Sequence, residues 1–221
     1  MNSLGLLVVC GVGALLGALL PTIAYAWIAI VSSTRPVPSL WVRLACAATA
    51  SITWLGLWKT YQAEWPRFVL YANASLVLIC CSIVDLVVWL IPNMFLVYGA
   101  LSTLMILLTL DFSNLAVHLC TSLAAGLFFA GANWLSRGGM GLGDVKMSAV
   151  IGLVLGPAQS VVAFILAVFA GAATGLALML ARGSGFKERI AFGPFLTLGC
   201  ITSMVWSEQI IAWYLRLWGI A

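Results

Sequence analysis

Long apolar runs separated by short polar connections organise this chain. A helix that crosses a membrane needs about 20 apolar residues, and breaking the runs at Pro, Gly and charged residues gives eight candidates. They are 4–31, 42–58, 67–90, 94–110, 114–135, 144–157, 159–181 and 191–215. The second and sixth runs are short, and no internal repeat stands out. The pattern predicts an all-α polytopic membrane protein of about eight transmembrane helices, with residues 1–221 forming one membrane domain.

The composition strengthens this prediction. The 221 residues are 64% hydrophobic and 7% charged, whereas a soluble domain carries about 25% charged residues. The lipid bilayer is therefore an expected partner of most helix surfaces. The net charge of +4 is spread over short connections, so we expect no nucleic-acid partner. "AYA" at 24–26 resembles a signal-peptidase site, but the apolar run continues beyond it, and we expect a retained first span.

The distribution of Lys and Arg predicts the orientation. If the connections alternate between the two membrane faces, one face receives seven basic residues: Arg35, Arg43, Arg137, Lys146, Arg182, Lys187 and Arg189. The other face receives three: Lys59, Arg67 and Arg216. Cytoplasmic loops carry an excess of Lys and Arg, so the first face is predicted to be cytoplasmic and both termini to lie outside. The end of span three and the loop 136–144 then share the cytoplasmic face.

Two acids lie at that face within or beside apolar runs. Asp85 belongs to "SIVDLVVWLIPN" (82–93), and Asp144 follows a Gly-rich turn. An Asp well inside a bilayer costs about 2.5–3.5 kcal/mol and is functional by default. Structural alternatives remain open, namely Asp85 as a snorkelling acid paired with Arg137 and Asp144 as a helix N-cap. Pro92 is expected to end the third helix and to shape a bend beside the site.

Two carboxylates at one face suggest general acid–base hydrolysis. The ionised carboxylate takes a proton from water, while the protonated one donates to the scissile carbonyl oxygen. Such a pair titrates as a unit, as the two carboxyl groups of aspartic proteases do. A different class of function stays open as an alternative, a proton-coupled transporter or channel that uses the two acids as a relay.

No competing chemistry is indicated by the remaining residues. His118, the single histidine, has no acid or Cys at ligand spacing and is predicted to be structural. The cysteines lack metal-ligand spacing and are interpreted as small hydrophobic residues: Cys10, Cys46, Cys80, Cys81, Cys120 and Cys200. We therefore expect no metal site. The glycines of "GLGD" (141–144) permit a close approach of backbone, and they lack the Lys and Ser/Thr that complete a P-loop.

Three motifs resemble one known family. "DLVVWLIPN" (85–93) resembles the D-x-x-x-x-x-I-P-[ND] motif of type IV prepilin peptidases, "GLGDVK" (141–146) their G-x-G-D-x-K motif, and "FGPF" (192–195) their third signature. The resemblance covers about 75–200 and implies a GxGD-type intramembrane aspartic peptidase, with Asp85 and Asp144 as its catalytic aspartates. Residues of these motifs are expected to shape the substrate site: Gly141, Gly143, Lys146, Pro92, Asn93, Gly193 and Pro194.

The resemblance implies an enzyme that needs no cofactor. It also implies that this enzyme lies in the inner membrane of a bacterium. Such enzymes remove the short basic leader of prepilins or pseudopilins, after a Gly, at the cytoplasmic face. Bifunctional members also carry a Cys-containing loop that supports N-methylation. Here Ser32–Arg43 holds no Cys, so methyltransferase activity is doubtful. A GxGD protease with another substrate is a further alternative, disfavoured by Val84 in the place of a Tyr and by FGPF in the place of Pro-Ala-Leu. The sequence specifies neither the pilin nor the oligomeric state.

Overall fold

A computed structural model describes residues 3–32, 38–136, 140–182 and 191–219. Within these ranges the chain forms α-helices, one 3₁₀ turn and no strand. The elements are α1 (Ser3–Ser32), α2 (Leu40–Tyr61), α3 (Trp65–Val88), α4 (Asn93–Leu110), the turn Phe112–Asn114, α5 (Leu115–Leu135), α6 (Leu142–Leu155), α7 (Pro157–Arg182) and α8 (Gly193–Leu217). The all-α polytopic membrane fold expected from the apolar runs is confirmed.

Seven of these helices are long and apolar enough to cross a membrane, and α6 is the exception. Its 14 residues rise only about 21 Å. It packs antiparallel to α5, where Ser122 Oγ donates to Ala149 O at 2.8 Å and the His118 ring lies 2.7 Å from Leu153 O. Most of α6 is buried. Its apolar sequence therefore reflects contact with other helices as well as with lipid.

Helix α3 occupies the centre of the bundle. It contacts α1, α2, α4, α6 and α8, and about two thirds of its most apolar stretch is buried. Small residues let its neighbours approach closely; a methyl group at Gly99 of α4 would lie 3.0 Å from Val77. The buried faces of α3, to which Asp85 belongs, are therefore in contact with other helices rather than with lipid.

Helix α3 ends earlier than expected. The sequence predicted that Pro92 ends it, whereas its last helical residue is Val88. Trp89 follows in the left-handed conformation, with φ 57° and ψ 34°, and its N–H donates to Asp85 O at 2.9 Å. A left-handed residue after the last turn is a common helix terminator. Pro92 instead precedes the first residue of α4, so the four residues 89–92 connect the two helices.

Candidate active site

Asp85 lies three residues before the end of α3, with its side chain turned toward α8. It is 6% exposed, and the backbone N–H of Gly193 donates to Asp85 Oδ2 at 2.9 Å. Gly193 is the first residue of α8, where backbone N–H groups have no partner within the helix and carry partial positive charge. The start of α8 therefore neutralises part of the charge of an ionised Asp85.

Only glycine fits where α8 meets Asp85. A methyl group at position 193 would lie 2.7 Å from Asp85 Oδ2, which is shorter than any ordinary carbon–oxygen contact. Phe192 precedes the helix as its N-cap residue, and Pro194 occupies one of the first helical positions. Proline is well placed there because the first turn needs no N–H donor for its own hydrogen bonds. The FGPF segment thus builds the helix start that holds Asp85.

Asp144 lies in the first turn of α6 and is 8% exposed. The backbone N–H of Gly141 donates to Asp144 Oδ2 at 3.2 Å, while Oδ1 is buried and has no hydrogen-bond partner in the described part of the chain. The expectation that Asp144 is the N-cap residue is wrong, because Gly141 holds that position. Asp144 is the third helical residue and reaches back to the N-cap N–H, as in one half of a capping box.

The Gly-rich turn packs against the segment that follows Asp85. A methyl group at Gly143 would lie 3.0 Å from Ile91, so the turn and this connection are in close contact. Lys146 Nζ donates to Asn93 Oδ1 at 2.9 Å. These two contacts bring the first turn of α6, which holds Asp144, to the end of α3 that holds Asp85. Residues that lie 59 positions apart in the sequence therefore meet at one end of the bundle.

The other residues of the motifs differ in their exposure and in their hydrogen-bond partners. Pro92 is buried, whereas Asn93 and Lys146 are exposed. The ammonium of Lys146 bonds to Asn93 rather than to either carboxylate. The proposed partner of Asp85, Arg137, lies outside the described residues. Within the described part of the chain, no cation is paired with Asp85 or Asp144.

Sequence reasoning missed a hydrogen-bonded pair one turn away from Asp85. The hydroxyls of Ser82 and Thr197 lie 2.6 Å apart, and each also reaches Leu78 O, at 3.0 and 3.2 Å. Ser82 precedes Asp85 by three residues, and Thr197 follows Gly193 by four, so the pair ties α3 to α8 just below the aspartate. The signal was weak, because Ser and Thr inside helices usually bond only to their own backbone.

The site therefore offers two carboxyl groups, each held through one oxygen by a glycine N–H. The other oxygen of each accepts no hydrogen bond within the described residues. No group of three or more His, Cys, Asp or Glu residues that could hold a metal occurs in that part of the chain. His118 belongs to α5 and contacts Leu153, near the end of α6 that is farthest from Asp144. Two uncommitted carboxyl oxygens are suited to proton transfer as an acid and a base.

Comparison with known proteins finds one matching family and several similar sequences. The model of the type IV leader peptidase family matches residues 72–176, which include Asp85 and Asp144. The prepilin leader peptidase/N-methyltransferase of Bacillus subtilis (strain 168) is 31% identical over 142 residues, covering 63% of this chain and 56% of that protein. The enzyme of the same name from Aeromonas hydrophila is 26% identical over 209 residues, 89% of this chain and 69% of the relative.

A third relative matches a shorter segment. The prepilin leader peptidase/N-methyltransferase of Legionella pneumophila is 34% identical over 79 residues, 36% of this chain and 28% of that protein. The match to the Bacillus protein spans little more than half of that relative's length. No solved structure matches the chain.

Proposed function

We propose that this chain is a prepilin leader peptidase whose catalytic groups are Asp85 and Asp144, since residues 72–176 match the model of the type IV leader peptidase family. The observation that carries the proposal is that these two buried carboxyl groups lie at the same end of the bundle, where neither is paired with a cation of the described residues. Like charges in such a site resist double ionisation, so the pair holds one proton. The proton belongs to the pair rather than to a fixed residue.

In the proposed reaction a water molecule lies between the two carboxyl groups. The ionised carboxylate takes a proton from this water as its oxygen attacks the scissile carbonyl carbon, and the protonated carboxyl donates to the carbonyl oxygen. When the tetrahedral intermediate collapses, the C–N bond breaks and the nitrogen takes a proton from the carboxyl that deprotonated the water. A hydroxyl of the intermediate returns its proton to the other carboxylate, which restores the pair with one proton. Gly193 and Gly141 each hold one carboxylate oxygen, which orients the other oxygen of each group toward the reacting atoms.

The substrate we propose is the N-terminal segment of a type IV prepilin or pseudopilin. Cleavage follows a Gly, between a short basic leader and the hydrophobic helix, at the cytoplasmic face of the inner membrane. This face is the one that charge asymmetry assigns to Asp85 and Asp144. The relatives are named as bifunctional enzymes, but the Cys-free segment from Ser32 to Arg43 supports peptidase activity with little or no N-methyltransferase activity.

The decisive experiment combines co-expression of candidate prepilins with N-terminal sequencing of the product. Asp85→Asn and Asp144→Asn should each insert normally and lose leader cleavage by a factor of about 10² to 10⁴, the usual worth of one acid–base group. Glu64→Gln, the same change at the opposite end of the bundle, is the matched control and should cleave normally. Normal processing by either Asp variant would overturn the assignment. Proton flux in liposomes without any cleavage would support the relay alternative instead.

A further inference from the structure

A polar cavity lies at the end of the bundle opposite to Asp85 and Asp144. Its volume is about 330 Å³, and it opens between α3, α5, α7 and α8. Three charged side chains line it, Arg67, Asp111 and Glu208. The proposed peptidase reaction uses none of them. Charged groups gathered around a cavity at a membrane face point to a ligand that itself carries charge.

An apolar groove leads away from this cavity between α5 and α7. The groove has a volume of about 770 Å³, and Val117 and Pro157 line both spaces. It extends along α5 from Ala116 to Phe128, a helix rise of about 18 Å. Half of the hydrocarbon core of a bilayer is about 15 Å thick. The groove is therefore as deep as a single leaflet, and its outer wall is open to lipid.

An unpaired hydroxyl lies in the groove close to the cavity. Ser160 is 2% exposed and lines the groove one helical turn below Pro157. Its Oγ has no hydrogen-bond partner within the described residues. Thr121, on the facing helix, instead satisfies its hydroxyl by donating to Val117 O at 2.7 Å. A buried hydroxyl without an acceptor is unfavourable, and a ligand with a carbonyl oxygen at this depth would remove that penalty.

The charges of the cavity favour a headgroup that carries both signs. Arg67 uses one N–H group on Glu64, with which it is 2.9 Å apart, and a guanidinium has further donors suited to phosphate oxygens. The carboxylates of Asp111 and Glu208 are suited to an ammonium group. With one cation and two anions on its walls, the cavity disfavours a headgroup that adds net negative charge.

We propose that the cavity and groove together form a binding site for a phospholipid whose headgroup combines a phosphate with a primary ammonium. The headgroup fills the cavity, with the phosphate at Arg67 and the ammonium between Asp111 and Glu208. An ester carbonyl accepts a hydrogen bond from Ser160 Oγ. One acyl chain lies in the groove and separates α5 from α7. The site is independent of the proposed peptidase function, since it lies at the other membrane face.

Native mass spectrometry of the full chain in detergent tests the proposal directly. Phosphatidylethanolamine and phosphatidylglycerol with identical acyl chains are added in parallel. We expect phosphatidylethanolamine to bind at least 10-fold more tightly. Glu208→Gln should weaken that binding about 10-fold and leave phosphatidylglycerol unchanged, because only phosphatidylethanolamine carries the ammonium. Ser160→Ala should weaken phosphatidylethanolamine about 10-fold and any phosphatidylglycerol binding as well, because both lipids carry the ester carbonyl. Lys59→Gln is the matched control, because Lys59 lines a different groove, between α2 and α8, at the same face.

The thiol of Cys120 provides a second readout. It is exposed and lines the groove, so in a Cys10→Ala background an apolar maleimide should label it more slowly as phosphatidylethanolamine is added. Ala124→Trp should fill the groove and remove both the lipid and its protection of the thiol. If this bulky variant does not fold, Ser160→Ala still decides the question.

Three results would overturn the proposal. The first is equal retention of the two lipids by the wild-type chain, and the second is unchanged binding in both Glu208→Gln and Ser160→Ala. The third is efficient cross-linking of two copies through Cys120 at protein concentrations where no lipid is retained. That result would make the groove an interface between copies of this chain.

Discussion

The charged side chains at the two ends of the helical bundle differ in their exposure to solvent. At one end Arg67 and Glu64 form an ion pair 2.9 Å long, with both side chains about half exposed. Asp111 at the same end accepts hydrogen bonds from Asn114 and Ser113. At the other end Asp85 and Asp144 are almost completely buried, and each receives one N–H from a glycine.

This difference in exposure changes the free energy that each charge costs the folded protein. Exposed ions keep much of their hydration, and an ion pair between them contributes about 0–1 kcal/mol. An Asp inside a membrane protein costs about 2.5–3.5 kcal/mol even on the insertion scales that give the lower values. Two such acids with uncommitted oxygens are unfavourable for the fold. The proposed peptidase reaction would account for their presence, and the variants below test how far the two ends differ.

The largest effect is expected at the two aspartates, whether they are changed singly or together. Residues that act as a unit show strongly non-additive losses. Asp85→Asn/Asp144→Asn should therefore lose about as much cleavage as either single variant, a factor of about 10² to 10⁴. Rates of leader removal from a purified prepilin in detergent would measure this. A double variant whose loss equals the product of the single losses would show that the two carboxyls act independently.

A smaller loss is expected from Gly193→Ala. The added methyl group would lie 2.7 Å from Asp85 Oδ2, so the carboxylate must rotate away from the helix start that holds it. Misplacement of a reacting group by about 1 Å can cost on the order of 100-fold in rate. Cleavage should fall between 10- and 100-fold while thermal unfolding in detergent changes little. Gly131→Ala is the matched control, because among the described residues its new methyl group would contact no side chain and no other helix within 4 Å, apart from its immediate neighbours.

The parts of this structure that follow from local apolar pattern were predictable. All eight apolar runs became helices, and their observed bounds lie within about three residues of the expected ones. Asp85 and Asp144 stood out because a carboxylate in an apolar run is rare. The orientation of Lys146 was harder to predict, since its contact with Asn93 depends on how two distant segments pack.

What escaped prediction depends on tertiary contacts and on backbone conformation. The end of α3 at Val88 is produced by Trp89 in a left-handed conformation, which is uncommon for any residue but Gly or Asn. Sequence alone favoured the nearby proline. The hydrogen bond from Gly193 to Asp85 joins residues 108 positions apart. The dipeptide Gly193-Pro194 does not by itself indicate that the N–H of Gly193 donates to a carboxylate.

The pair Ser82 and Thr197 should have an intermediate effect. Thr197→Val removes the 2.6 Å contact with Ser82 and leaves the volume of the side chain nearly unchanged. A hydrogen bond is worth about 1 kcal/mol, which corresponds to about 5-fold. If the pair positions α8 relative to Asp85, Ser82→Ala and Thr197→Val should each reduce cleavage about 5-fold. In a double-mutant cycle the combined variant should lose no more than one of them.

The link from Lys146 to Asn93 should matter less, because both side chains are exposed. Lys146→Gln should lower cleavage no more than about 5-fold, within the usual range for one such hydrogen bond. Since Lys146 Nζ bonds to Asn93 and not to a carboxylate, the pH dependence of the rate should keep its shape. A displaced pH–rate profile would show that the ammonium acts on the aspartate pair, contrary to the geometry.

The smallest effect is expected at the Glu64–Arg67 pair. Glu64→Gln breaks an ion pair whose side chains are 46% and 56% exposed, and water and salt screen such a pair strongly. Its loss should change the free energy of unfolding by less than about 0.5 kcal/mol, and leader cleavage should be unchanged. Unfolding in detergent at low and high salt, with Asp85→Asn measured alongside, tests the comparison of the two ends. Replacing the buried acid should stabilise the fold, because an amide is cheaper than a carboxylate to bury. If Glu64→Gln were the more disruptive change, burial would not be what distinguishes the two ends of the bundle.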